Sequence, residues 1–269
     1  MTGLLGTTGD QKDARDLLGV GGVGQCRLTK SGASLLLSRY NGKFLTVNNV
    51  NCTIPSAGVT LPATGLTAGT NYFIYATAAS GVVSALEAST TGYTIDTSNG
   101  MPVKSSDATR TLVGMARPVT GPAWQDAAQQ RFVISWFNRQ ELELFGAFTT
   151  GRPYGSSTPG EANSEIRNEF LSWGGVPFKS FIDGAAQIDT AGAYVNTFVA
   201  LDGVAQDASC TFQAYGANAR GPVSCSLARS STEGYHYTSL FGATGGSGII
   251  TFLGGGGVGR CALKTLVQG

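Results

Sequence analysis

Short apolar β-forming runs separated by turn residues fill this chain almost end to end, and that rhythm restricts it to an all-β fold. Asn71-Tyr-Phe-Ile-Tyr75 and Gln130-Arg-Phe-Val-Ile-Ser-Trp-Phe137 are such runs, and Gly, Asn, Ser or Thr stands between most of them. Short strands between frequent turns build a sandwich or a barrel. The 39 glycines supply many of the turns. Only 13% of the 269 residues are charged, about half the usual share. The frame is therefore rich in surface and poor in ionisable chemistry.

The formal net charge of +1 disfavours a nucleic-acid partner, because phosphate recognition calls for a basic face. It also gives little self-repulsion, so solubility rests on neutral polar groups or on burial in an assembly. The start, Met1-Thr-Gly-Leu-Leu-Gly6, lacks the basic and apolar regions of a signal peptide. No run approaches the roughly 20 apolar residues of a membrane helix, so no membrane insertion is expected. The cysteines Cys26, Cys52, Cys210, Cys225 and Cys261 are odd in number and contain no C-x-x-C pair, unlike a zinc site. Cys210 and Cys225 flank a candidate hairpin, so they are a candidate disulfide; buried free thiols are the alternative.

Residues 1–24 differ from the rest. Thr8 to Leu18 has helical character, with Asp10 as a candidate N-cap and Gly19 as a stop. A helix of about eight residues is unstable alone in water, so either it frays or Leu17 and Leu18 dock on something. With Leu4 and Leu5 they are the candidate anchor residues of an attachment peptide; a disordered terminus is the alternative.

Residues 25–139 read as a first β domain, although length alone also allows one large β domain. Asn41-Gly42 predicts a tight hairpin between Ser34–Tyr40 and Lys43–Val47. Ser80-Gly81 predicts another between Asn71–Ala78 and Val82–Ala88. Thr109 to Arg117 predicts a strand stopped by Pro118, and Trp124 to Gln130 a helical turn. Residues 140–269 read as a second domain, a jelly-roll-like sandwich. Its expected strands are Glu141–Phe148, Ala193–Leu201, Cys210–Tyr215, Val223–Arg229, Gly234–Phe241, Gly248–Leu253 and Arg260–Val267. Asp202-Gly203 predicts a turn, and Thr150 to Glu161 a long exposed loop.

Two stretches, Gly19 to Gly24 and Gly254 to Gly259, match G-x-G-x-x-G. A dinucleotide site places that turn between a strand and a helix, and neither context fits. His236 is the only histidine, so a nucleophilic triad would have to use it; a structural histidine is the favoured reading. The carboxylates from Glu161 to Glu169, with Asp183, Asp189, Asp202 and Asp207, offer no clear catalytic pair, and Glu165 and Glu169 suit a solvated helical turn. No spaced acidic loop suggests calcium. The expectation is a non-enzyme with no metal and no cofactor. Aromatic rings can stack on sugars, and Trp173 and Tyr154 are the candidate glycan contacts, while Trp136 reads as core.

The segments Leu86-Glu-Ala-Ser-Thr-Thr-Gly92, Thr111 to Val119 and Gln130 to Arg139 resemble a module of tailed-bacteriophage and prophage fibre proteins. Glu233-Gly-Tyr-His-Tyr-Thr-Ser-Leu-Phe-Gly242, followed by a Gly-rich hairpin and a final strand, is similar to the terminal β domain of such fibres. The resemblance implies a homotrimer on the virion, made in the bacterial cytoplasm. It implies attachment through the N-terminal segment to a capsid, collar, neck or tail protein, with β domains projecting outward. Without heptads or a shaft repeat, the chain suits a short fibre or spike. The rival readings are a carbohydrate-binding adhesin that contacts a host-surface glycan and, further off, a glycan depolymerase.

Overall fold

The structure, a computed structural model, describes residues 23–257 and 259–269. Leu4, Leu5, Leu17 and Leu18, the candidate anchor residues, lie outside the described residues. Their regular structure is strand apart from one short 3-10 turn at Ser164–Ile166, so the all-β expectation holds. The chain divides into two compact units. One comprises the described residues up to Gln125, with Phe132–Gln140 and Gly269; the other comprises Asp126–Arg131 and Glu141–Gln268.

In the first unit a large sheet faces a three-stranded one. The large sheet is centred on Tyr72–Ala79, which pairs with Val82–Ser89 on one side and Asp107–Ala116 on the other. The small sheet is Cys26–Ser31, Ser34–Arg39 and Val59–Pro62. Leu28, Leu35, Leu37, Leu45, Ile74, Val83 and Val113 fill one buried cluster. They lie at alternate positions because successive side chains of a strand point to opposite faces. Trp124 joins this core and donates from Nε1 to the Leu61 carbonyl at 2.8 Å.

Two local expectations fail here. Asn41 and Gly42 do take positive φ, at 54° and 148°, but the strands they join do not pair. Ser34–Arg39 belongs to the small sheet and Phe44–Val47 to the large one. The turn is held by Gln25, whose Oε1 accepts from the Lys43 and Phe44 amides at 2.8 and 3.0 Å. That contact steers the chain from one sheet to the other. The predicted helical turn at Trp124–Gln130 is instead a corner of short strands. Gln130 and Arg131 pair in parallel with Glu169 and Phe170, which draws Asp126–Arg131 into the second unit. The Ser80-Gly81 hairpin forms as expected.

The second unit is a jelly roll. Its eight main strands, in chain order, are Glu141–Ala147, Asn168–Ser172, Pro177–Ile188, Tyr194–Leu201, Val204–Gln213, Ala219–Ser230, Gly234–Gly245 and Ala262–Gln268. One sheet runs first, eighth, third, sixth. The other runs second, seventh, fourth, fifth. Every one of these pairings is antiparallel, and the connections pass repeatedly from sheet to sheet, as two interlocked Greek keys require. Between the sheets lie Ile182, Val195, Val199, Val223, Leu240, Phe252 and Leu263.

The second and third strands carry no strand expectation in the sequence. The third, Pro177–Ile188, pairs with the eighth over Lys179–Asp183 and with the short strand Ile250–Phe252 over Ala186–Ile188. Gly184, with φ of +152°, stands where the partner changes; a Cβ there would come within 2.6 Å of the Cys261 Cα. The expected long loop at Thr150–Glu161 contains the short strands Arg152–Tyr154 and Gly160–Glu161. Glu165 sits in the 3-10 turn, but Glu169 lies in the second strand.

Candidate functional site

The jelly roll has two distinct ends. At one, the chain enters at Glu141 and leaves at Gln268, which are directly paired. At the other end, four connections converge: residues 155–159, 189–193, 214–218 and 246–249. Their backbones bind one another. Gly192 N–H donates to the Ala214 carbonyl at 2.8 Å, Asn218 N–H to the Ile188 carbonyl at 2.8 Å, and Thr244 N–H to the Ser156 carbonyl at 2.9 Å. The Ile249 N–H donates to Asp189 Oδ1 at 2.9 Å. This end carries Tyr215, 92% exposed, with Ile249 at 49% and Tyr194 at 44%. A rigid strand frame therefore presents apolar and aromatic side chains on loops and at a strand end, the usual arrangement of a contact surface.

A second candidate lies on the same unit, where Gln129, Gln130, Glu165, Arg167 and Glu169 line a polar cleft of about 490 Å³. Gln130 donates to Glu169 at 2.7 Å, and Tyr235 donates its hydroxyl to the same carboxylate. The Arg167 guanidinium lies 4.6 Å above the Tyr237 ring and binds Glu161 through Nε at 2.6 Å. Hydrogen bonding to Glu161 raises the Arg167 pKa and keeps it charged. Burial pushes the Glu165 carboxyl up, but hydrogen bonds from Thr149 and Arg152 outweigh it and hold the group below the usual carboxylate range. Planar amides, an arginine and tyrosine rings are groups that bind hydroxyl-rich ligands. Here each already has a protein partner.

The sequence-derived candidates are placed as follows. Trp173 is corrected: it is 2% exposed and offers no face to a sugar. Its neighbours Gly174 and Gly175 form a turn, but the indole is packed inward. Tyr154 is half-buried, packs on the jelly-roll core, and donates its hydroxyl to the Thr158 carbonyl at 2.7 Å. Trp136 is only partly buried, with Tyr93 5.0 Å away edge-on and the Arg139 guanidinium over its ring. Cys210 and Cys225 are free thiols, and they lie on strands of opposite sheets, both packed on the inter-sheet core.

His236 is a structural residue. It is 7% exposed, its Nδ1 lies 2.7 Å from Asp202 Oδ2, and its Nε2 lies 3.0 Å from the Thr232 carbonyl. Asp202 also accepts from the Tyr237 amide at 3.0 Å. The histidine thus pins the Asp202-Gly203 turn to the seventh strand. Asp189 and Asp183 accept local hydrogen bonds in the same manner. Among the described residues, no group of three or more His, Cys, Asp or Glu could hold a metal ion, and no helix is long and apolar enough to cross a membrane.

No family model matches the sequence, and no curated relative does. Among solved structures, the insecticidal delta-endotoxin Cry8Ea1 from Bacillus thuringiensis aligns over 91% of this chain and 52% of its own, at 7% identity and a TM-score of 0.28. The chain thus spans about half the length of that toxin. The infectious bursal disease virus Gx strain structure aligns over 90% of this chain and 69% of its own, at 11% identity and a TM-score of 0.27. The VP2 subviral particle of that virus aligns over 74% and 61%, at 9% identity and 0.26. At such scores the fold rests on this chain's own strand order.

Sequence reasoning missed Tyr215, Tyr194 and Ile249 as a group. Tyr215 stands before Gly216-Ala-Asn218, a turn signal that could have marked it as a loop-tip aromatic. What brings Tyr194 and Ile249 beside the same loops is the jelly-roll topology.

Proposed function

We propose that this chain is a structural virion protein, a short fibre or spike subunit of a tailed bacteriophage. In this reading it is a homotrimer held by residues 1–24 on a capsid, collar, neck or tail protein. The jelly roll is its outward knob, and the Tyr215 end makes weak contacts with a host surface. One observation carries the reading: a jelly roll that is entered and left at one end and carries exposed aromatic residues at the other. Many weak copies of such a contact add up on one particle. The fibre-like segments Thr111–Val119 and Glu233–Gly242 support it. So do the low charge and the exposed Val50, Val82, Phe145 and Val204, which suit burial between copies.

The experiment is particle incorporation. Protein lacking residues 1–24 is expected to fold and assemble with itself but to be absent from purified particles; normal incorporation would overturn the anchor. A second reading, a glycan-binding adhesin, is favoured by the cleft at Gln130, Arg167 and Glu169 beside Tyr235 and Tyr237. It predicts glycan-array binding that is lost on Arg167→Ala. The two readings are compatible, since a fibre can bind glycans.

A further inference from the structure

We propose that Cys210 and Cys225 form an oxidisable dithiol, a covalent modification site that closes to a disulfide tying the two sheets of the jelly roll together. Cys210 lies on the fifth strand and Cys225 on the sixth, and these strands belong to different sheets. Both face inward. Cys210 shares its side of the strand with Phe212, and Cys225 shares its side with Val223 and Leu227, all packed on the inter-sheet core. The two strands pack against each other across the sandwich, and both thiols rest on the same inter-sheet cluster. A bond between them would join the sheets across the sandwich rather than along one ladder.

Their setting differs from that of the other cysteines. Cys26, Cys52 and Cys261 are buried, whereas Cys210 and Cys225 are partly exposed. The hydrogen bond from Cys225 lowers the Cys210 pKa to about 6, while the same contact pushes Cys225 up. Burial holds Cys26 near 12 and Cys261 near 11. Cys210 is therefore the more acidic of the two and the first nucleophile, because thiolate, not thiol, attacks a disulfide.

The oxidant is a small disulfide such as oxidised glutathione. Cys210 Sγ attacks one of its sulfurs, forming a mixed disulfide and releasing one glutathione thiolate. Cys225 then gives up its proton and attacks the Cys210 sulfur, releasing the second glutathione thiolate. Two electrons pass from the protein sulfurs to the oxidant, and the two released glutathione thiolates take up the Cys225 proton and one from solvent. In a reducing cytoplasm the pair remains dithiol; in an oxidising medium it closes. This chemistry is independent of the virion reading.

The test uses the full chain equilibrated with oxidised glutathione, then alkylated, denatured and digested. A peptide pair linked through Cys210 and Cys225 is expected, and thiols titratable in denaturant fall from five to three. Tm rises by about 5 °C over the protein kept in dithiothreitol. Cys210→Ser and Cys225→Ser, each checked for cooperative unfolding, lose that oxidation-dependent rise. The proposal is overturned if all five thiols stay free in folded protein. It is equally overturned if either cysteine links to another partner or chain, or if the linked protein melts with the reduced one.

Discussion

Thr265 is fully buried, and its hydroxyl meets three partners at once. Asn168 Nδ2 donates to it at 3.1 Å, while the Ser180 and Thr238 hydroxyls lie 3.0 and 2.8 Å away. Asn168 and Thr238 come from one sheet of the jelly roll, Ser180 and Thr265 from the other, so this small polar cluster joins the sheets inside an apolar core. Thr265→Val keeps the shape but removes the hub, leaving buried polar groups without their partner. A loss of about 2–4 kcal/mol in chemical denaturation is expected; a change under about 0.5 kcal/mol would contradict this. The inward position of Thr265, between Leu263 and Val267, was readable from alternation in the last strand. Its partners were not, because they lie far away in sequence. The same limit explains Trp173: a tryptophan before two glycines reads as a turn tip, and only the packing of distant strands decides that the ring goes inward.

At the scale of elements, turn residues were legible and pairing was not. Ser80-Gly81 and Asp202-Gly203 have positive φ and join strands that do pair. Asn41-Gly42 has the same local chemistry, yet its strands go to different sheets because Gln25 holds the turn. Gly184 is the clearest case of an element shaped by one residue. Its positive φ and its approach to Cys261 and Arg260 allow the third strand to change partner. Gly184→Ala places a Cβ 2.8 Å from the Arg260 carbonyl oxygen, and a loss of about 3 kcal/mol or more is expected; a loss under about 1 kcal/mol would contradict the account.

Charged pairs act on the same scale. Burial pushes the Glu87 carboxyl up, but hydrogen bonds from Lys104 and Arg110 outweigh it, and the group titrates below its ordinary value of 4.5. A carboxyl lowered by folding adds stability above its unfolded pKa and loses it as pH falls through the folded one. The pairing of Glu87 with Lys104 on one strand and Arg110 on another is therefore expected to weaken below about pH 4.5. Denaturation midpoints of Glu87→Gln, compared with the parent from neutral pH down to about pH 3, should fall less steeply on acidification. Equal slopes would remove Glu87 from the acid response.

For the whole molecule, the strand count and the turn rhythm already restrict the second unit to a sandwich, and most of its strands fall where alternation places them. The order first, eighth, third, sixth against second, seventh, fourth, fifth is a long-range property that no local run encodes. That order brings four connections to one end and gathers Tyr215, Tyr194 and Ile249 there. It also sets Cys210 against Cys225 across the sandwich, where the sequence suggested only a hairpin. The most direct test of a particle-borne trimer is native mass spectrometry of the full chain with and without reductant. The account predicts three copies in both conditions, since the proposed disulfide lies within one chain. A monomer, or a trimer that falls apart only when reduced, would contradict it.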